Sequence, residues 1–430
     1  MGIVIPAMAV PTVISMLVTS LYSIADTFFV GQIDTQSTAA VGIVFAVMSV
    51  IQAVGFLFGQ GAGVSIAHHL GERSTDEAER MAATSFACSI IAGVLIAAGG
   101  LLFLKEISLA LGSTPTILPY TERYLSIILL GAPFIVGALT LNNQMRFQGN
   151  ASTAMIGIVS GAVLNVLLDA LFIIALGWGI TGAALATLFS QACSFFLLLA
   201  LSRRGQNIPI LLRNARLTRD MLADILRGGT PSLTRQSLGA LATICLNLMA
   251  SRYGDAAIAG MSIVTRFTFF VYSIIIGTGQ GYQPLCGFCY GARLYERVRS
   301  GFWFCVRWGT VFLTLCAILV FCFAESVVAL FRDDPDVVIV GAEAFRWQVI
   351  TWPLGAFMMM SNMMMQSMGK AIRANLVAGM RRGLFFIPLI LLLPHWLGLL
   401  GVELCQAVAD ACSFVLTAPL TYSVLKELKT

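Results

Sequence analysis

Apolar runs of membrane-spanning length follow one another along almost the whole chain, and this pattern narrows the architecture before any motif is read. Only 11% of the 430 residues are charged, and the mean hydropathy is +0.88. A soluble chain of this length needs far more polar surface, whereas lipid solvates an apolar exterior. The expected fold is therefore an all-α polytopic membrane protein. Twelve spans fit if each takes roughly 20 residues. They are expected at 3–31, 39–68, 82–104, 120–139, 153–176, 180–202, 229–251, 256–283, 300–324, 343–361, 374–393 and 397–420. The first run has no basic n-region and no small-residue cleavage site, so it reads as a retained membrane helix rather than a signal peptide.

The same unit occurs twice. Pro11 recurs as Pro231, Gly59-Gln60-Gly61 as Gly279-Gln280-Gly281, Gly71 as Gly291, Pro133 as Pro353, and Gly149 and Ala151 as Gly369 and Ala371. After a one-residue slip, Ala192-Cys193-Ser194-Phe195 faces Ala411-Cys412-Ser413-Phe414. The constant register argues for duplication rather than chance coincidence of apolar residues. Six spans per copy bring both copies into the membrane from the same side, so the repeat is parallel with a pseudo-twofold axis along the membrane normal. The expected organisation is a six-helix bundle over 1–202, a cytoplasmic linker over 203–228 and a second six-helix bundle over 229–430.

Charge gives the orientation. With a cytoplasmic N-terminus, 18 of the 26 basic residues fall on or near that side, among them Arg73, Arg80, Arg146, the Arg203–Arg227 run, Arg381, Arg382 and Lys429. Five fall on the other side, and Arg235, Arg266 and Arg307 lie within spans. That excess places both termini in the cytoplasm. The linker opens with the turn signal Arg203-Arg204-Gly205-Gln206-Asn207. It continues with Leu217, Met221, Leu222, Ile225 and Leu226 between charges, the pattern of an interfacial amphipathic helix with a solvated face.

The net charge of +5 reads as a basic face against anionic lipid headgroups, not as a nucleic-acid surface. No Gly-rich loop ends in Gly-Lys-Ser/Thr, so no nucleotide is implied. The ten cysteines sit almost all in apolar segments and read as small hydrophobes. Cys286-Gly287-Phe288-Cys289 has no second CxxC and no nearby His, which argues against metal or redox chemistry. No enzyme activity and no cofactor is expected.

Ionisable residues inside spans are costly, and they sit against a cavity, a partner or an ion. Asp26 and Asp169 stand out in the first half. Asn165 and Asp169 are four apart, so on a helix they share a side and offer one ligand an amide and a carboxylate oxygen; Thr187 adds a hydroxyl from the next helix. Such a set suits a hard monovalent cation such as Na+, and the carboxylate pair alternatively shares and releases a proton. The bland readings are an interfacial Asp26 and an Asn165–Asp169 pair that only cross-links helices. Pro11 removes one helical hydrogen bond and permits a kink about four turns from Asp26.

Pro11, Asp26-Thr27-Phe28-Phe29-Val30-Gly31, Gly59-Gln60-Gly61, Gly71, Asn165 through Asp169 and Gly369-Lys370-Ala371 together resemble the multidrug and toxic compound extrusion (MATE) family, in its MepA-like and DinF-like bacterial branch. The likeness covers essentially the whole chain. It implies two six-helix bundles and export of cationic amphiphiles in exchange for Na+ or H+ by a monomer in the bacterial inner membrane. It carries the family's ion-coupling residues onto Asp26, Asn165, Asp169 and Thr187, and its bending proline onto Pro11. The acids that one branch carries in its seventh and tenth helices have no counterpart between Pro231 and Arg252 or between Ala344 and Met368, which puts the coupling site in the first half.

Candidate cavity residues are Phe28, Phe134, Phe147, Phe267 and Tyr282, with Met359 and Met363 from the dense stripe Met358 to Met368. Methionine adapts to flat cations, although helix packing explains the same stripe. Asp410 reads either as a salt bridge within its bundle or as a substrate contact, and Glu403 as an acid near the interface. The expected function is a secondary antiporter for lipophilic organic cations. The rivals are a flippase for lipid-linked saccharides, which Asp26 and Asp169 disfavour, and a passive channel.

Overall fold

A computed structural model of the protein describes residues 4–204 and 207–428. The turn expected at Gly205-Gln206 and the terminal Lys429 lie outside the described residues. The chain divides into two compact units, Val10–Leu233 and Met1–Ala9 with Thr234–Thr430.

The elements in chain order are α1 (Val4–Gly31), α2 (Thr35–Gly71), α3 (Thr75–Leu102), α4 (Leu104–Ala110), α5 (Leu118–Phe147), α6 (Ala151–Asp169) and α7 (Gly179–Ser202). Then come α8 (Arg219–Ala250), α9 (Asp255–Gly291), α10 (Tyr295–Cys322), α11 (Ala324–Phe331), α12 (Pro335–Val349), α13 (Trp352–Ser367), α14 (Ala371–Gly379), α15 (Ile387–Leu397) and α16 (Leu399–Glu427). A π-helical stretch, Ala170–Ala175, continues α6, and a second, Met380–Phe386, joins α14 to α15. Among the described residues ten helices are long and apolar enough to cross a membrane. The other two expected spans take different forms. The seventh is the membrane part of α8, which also carries Arg235, Gln236 and Asn247. The tenth is broken between α12 and α13 at Ile350-Thr351, where Pro353 opens a new helix in the first-turn position that needs no amide hydrogen. Its counterpart Pro133 lies inside the unbroken α5.

The backbone repeats its special points as the sequence does. The two non-glycine residues with positive φ among those described are Arg73 (φ 62°) and Arg293 (φ 57°), in the equivalent turns after α2 and α9. In each turn the helix ends with crossed backbone bonds, Ser74 N to His69 O at 2.7 Å and Leu294 N to Cys289 O at 2.7 Å. Gly149 (φ 89°) and Gly369 (φ 71°) are a second matched pair.

Glycines of the repeated Gly-Gln-Gly motif receive the first turns of α8 in the first unit and of α1 in the second. In the first unit a Cβ on Gly61 would collide with the carbonyl of Ile225, and one on Gly229 with that of Leu57. The Ser232 hydroxyl donates to Gln60 Oε1. In the second unit a Cβ on Gly281 would collide with the backbone of Ala9, and Ile5 is 1% exposed in that unit's core beside Tyr282 and Phe302. Hydrogen at these positions lets backbones approach to a distance no side chain allows.

The linker packs on the first unit through a few residues and leaves most of the others exposed. Asn150 Nδ2 donates to Asn207 Oδ1 at 2.9 Å, and the Ile208 amide to Gln148 Oε1 at 2.8 Å. The Arg216 amide donates to the Thr84 hydroxyl at 3.0 Å. Ile210 and Ile225 are buried, whereas Leu217, Leu222 and Leu226 are exposed, so the expected apolar face is split. The helix beginning at Arg219 runs on without a break into the seventh span. Arg381 and Arg382 lie well inside the span Ala371–Leu397 rather than at its end, so the basic residues counted toward the expected cytoplasmic side fall from 18 to 16.

Candidate functional site

Four helices of the first unit carry the site. Asp26 comes from α1, Tyr124 from α5, Asn165 and Asp169 from successive turns of α6, and Thr187 from α7. Asn165, Asp169, Thr187 and Tyr124 are at most 2% exposed, while Asp26 is half-buried. The spacing of four on α6 points Asn165 and Asp169 the same way. Asn165 Nδ2 donates to Thr187 Oγ1 at 3.5 Å, and that hydroxyl donates to the Ala183 carbonyl at 3.2 Å. The Asp26 and Asp169 carboxyl groups are close electrostatic neighbours, and Tyr124 lies beside Thr187. Tyr22, one turn before Asp26 on α1, faces both acids.

The donors run out before the acceptors do. Asp26 Oδ1, Asn165 Oδ1 and both carboxylate oxygens of Asp169 are buried without a hydrogen-bond partner. None of the ion pairs among the described residues includes either acid. Two adjacent carboxylates cannot both hold a negative charge in an apolar span without a positive partner, because desolvation alone costs several kcal/mol per ion. A proton shared by the pair or a hard monovalent cation satisfies the surplus oxygens. The π-helical stretch begins directly after Asp169 and loosens the regular ladder there. Sequence reasoning missed Tyr22 and Tyr124, because a tyrosine in an apolar span carries no signal of the side it faces.

The second unit treats its buried acid differently. Asp410, 1% exposed, accepts from Arg381 Nε at 2.8 Å, from Arg381 Nη2 at 3.0 Å and from Gln406 Nε2 at 2.7 Å. The Arg381 guanidinium lies 4.8 Å from the centre of the Tyr272 ring.

The family model MatE matches the chain twice, over residues 11–171 and 231–392. The chain belongs to the MatE family. The two MatE matches begin at Pro11 and Pro231, the first pair of the internal repeat. A curated relative, the multidrug export protein MepA of Staphylococcus haemolyticus, is 27% identical over 422 residues, covering 98% of this chain and 93% of the relative. The outward-facing structure of a multidrug resistance MATE family transporter of the MOP superfamily is similar at TM-score 0.93 and 28% identity, covering 99% of this chain and 96% of that one. A MATE in the bent conformation is similar at TM-score 0.92 and 27% identity, with the same coverage. This MATE chain is thus an all-α multi-pass membrane protein, a secondary transporter of small molecules by alternating access, and not an enzyme.

The remaining candidates of this MATE protein lie in varied surroundings. Pro11 is buried within α1. Phe28 is 62% exposed. Phe134 packs edge-on to Phe195 at 5.6 Å, and Phe267 edge-on to Phe345 at 5.5 Å. Phe147 is buried against Val64 and Ala67, and Tyr282 is buried with its hydroxyl donated to the Val298 carbonyl at 2.9 Å. Met363 is fully buried against Gly279, and Met359 is half-buried. Glu403 is 2% exposed, in the first turns of α16. All ten cysteines are free, Cys286 and Cys289 buried among them.

Proposed function

We propose that this MATE transporter is an antiporter that exports lipophilic organic cations in exchange for Na+ or H+ bound between Asp26 and Asp169. The observation that carries the reading is the cluster of four buried oxygens without donors on Asp26, Asn165 and Asp169. A cation or proton entering from outside satisfies them and removes the repulsion between α1 and α6, so its arrival favours one packing of α1. Pro11 supplies the weak point at which α1 bends in that change. The exporters named among the relatives, MepA included, support the drug-like substrate class. The bundles 1–202 and 229–430, the cytoplasmic placement of both termini and the 203–228 linker, a single working chain and the inner membrane complete the proposal.

The test is transport by purified protein in liposomes, with sodium and proton gradients imposed one at a time. Export of a quaternary ammonium dye driven by one gradient, and lost in Asp26→Asn and Asp169→Asn, is the expected result. Indifference of export to both gradients removes the antiporter reading, and full export by both mutants removes the site.

A further inference from the structure

Arg381 and Arg382 follow one another in the π-helical stretch Met380–Phe386, about 15 Å of helix rise beyond Ala371 and so near the middle of a hydrocarbon layer of about 30 Å. Ile372, Leu376 and Leu384 are exposed and mark the outer side of this helix; Met380 and Phe386 are buried and mark the packed side. Arg381 points inward to Asp410, and Arg382 is half-buried with Arg381, Asp410 and Tyr272 as its charged and polar neighbours. The single carboxylate is fully engaged by Arg381 and Gln406. Arg382 takes part in no ion pair or hydrogen bond among the described residues. Two guanidinium groups against one carboxylate leave a net positive charge in the interior of this unit. A guanidinium at this depth requires water or an anion to face, and its planar fork fits an oxyanion better than any other ligand class.

We propose that Arg382, held beside the Arg381–Asp410 pair, binds a carboxylate carried by the transported molecule, so that the exporter accepts amphoteric amphiphiles as well as simple cations. Asp410 then acts as an anchor that fixes Arg381, not as an attractor of cations. The π-helical stretch closes the angle between consecutive side chains relative to a regular helix, which keeps the half-buried Arg382 near its neighbour Arg381. The inference rests on the exporter reading for its transported ligand.

The experiment compares rhodamine 19, which has a free carboxylate, with rhodamine 6G, the same dye as its ethyl ester, by fluorescence anisotropy on the purified full chain. The wild type is expected to bind both. Arg382→Gln weakens rhodamine 19 about tenfold and leaves rhodamine 6G within about twofold, as expected for loss of one charge-assisted contact. Arg382→Lys keeps the charge and retains most of the rhodamine 19 binding. Equal effects on both dyes, no effect on either, or no binding of rhodamine 19 by the wild type overturns the proposal. Competition with phosphatidylglycerol separates the two sources of an oxyanion: an Arg382-dependent lipid signal without an Arg382-dependent rhodamine 19 signal assigns the site to a lipid phosphate and overturns the substrate assignment. Failure of gradient-driven rhodamine 6G export in liposomes ends the antiporter reading alone, while the binding pattern decides the carboxylate site.

Discussion

In the first unit a π-helical stretch follows Asp169, whose two carboxylate oxygens are buried without a donor. In the second unit a π-helical stretch contains Arg381 and Arg382, and the buried acid there, Asp410, has three bonds to donors. Both units come from one duplicated segment, and both interrupt the helix that follows their repeated glycine, Gly149 or Gly369. The difference lies in where the positive charge comes from. The second unit has its cation covalently attached, and a tethered cation cannot exchange. The first unit has surplus oxygens and no basic partner among the described residues, so on the proposed reading whatever neutralises them arrives and leaves.

The sharpest way to break this contrast is to neutralise each acid in turn. Asp169→Asn and Asp26→Asn are expected to reduce gradient-driven export to background in liposomes while the purified proteins keep their elution profile and thermal stability. Asp410→Asn is expected to do the reverse. It strands Arg381 in the interior and costs about 3–5 kcal/mol of stability, read as a lower unfolding temperature in detergent, with coupling intact in whatever folds. Replacing both members, Asp410→Asn with Arg381→Gln, is expected to recover most of that loss, and failure to recover would show that the pair does more than neutralise itself.

A smaller effect sharpens the parallel between the copies. Gly61→Val and Gly281→Val each force apart a close backbone contact and are expected to cost about 1–3 kcal/mol by similar amounts, measured by thermal unfolding. Unequal costs would mean that the two motifs no longer do the same work. Smallest is Tyr124→Phe, which removes the buried hydroxyl beside Thr187. It is expected to weaken apparent affinity for the coupling ion by about two- to tenfold, equivalent to one hydrogen bond of about 0.5–1.5 kcal/mol, seen as a shift in the ion concentration that gives half-maximal export.

Much of this contrast is legible in the sequence because charge in an apolar span is rare. Asp26, Asn165, Asp169 and Thr187 stand out by residue type, and the structure brings them together. The duplication is legible through glycine and proline, residues whose backbone roles leave few substitutes. Depth is what the sequence conceals. Arg381 and Arg382 read as the cytoplasmic edge of a span because basic residues usually snorkel to an interface, and only the position of Asp410 on α16 shows that Arg381 turns inward. The methionine stripe leaves two readings open in the sequence, an adaptable pocket or helix packing, and in the structure Met360, Met363, Met364 and Met365 are fully buried. The break at Ile350-Thr351 had a marker in Pro353, but Pro133 shows that the same residue is also accommodated inside a continuous helix.

The exchange of first helical turns has a consequence for biogenesis. Ile5 and Ala9 belong to a core whose other members, Tyr282, Gly281 and Phe302, are synthesised only after the whole first copy has left the ribosome. The N-terminal turns of α1 must therefore wait in the bilayer without their final neighbours, while the first copy in its turn waits for Ile225 and Gly229. Neither half is expected to mature as an autonomous insertion unit. A nascent chain truncated after Ser202 is expected to enter the membrane yet remain open to quality-control proteolysis, because its Gly59-Gln60-Gly61 groove has no helix to receive.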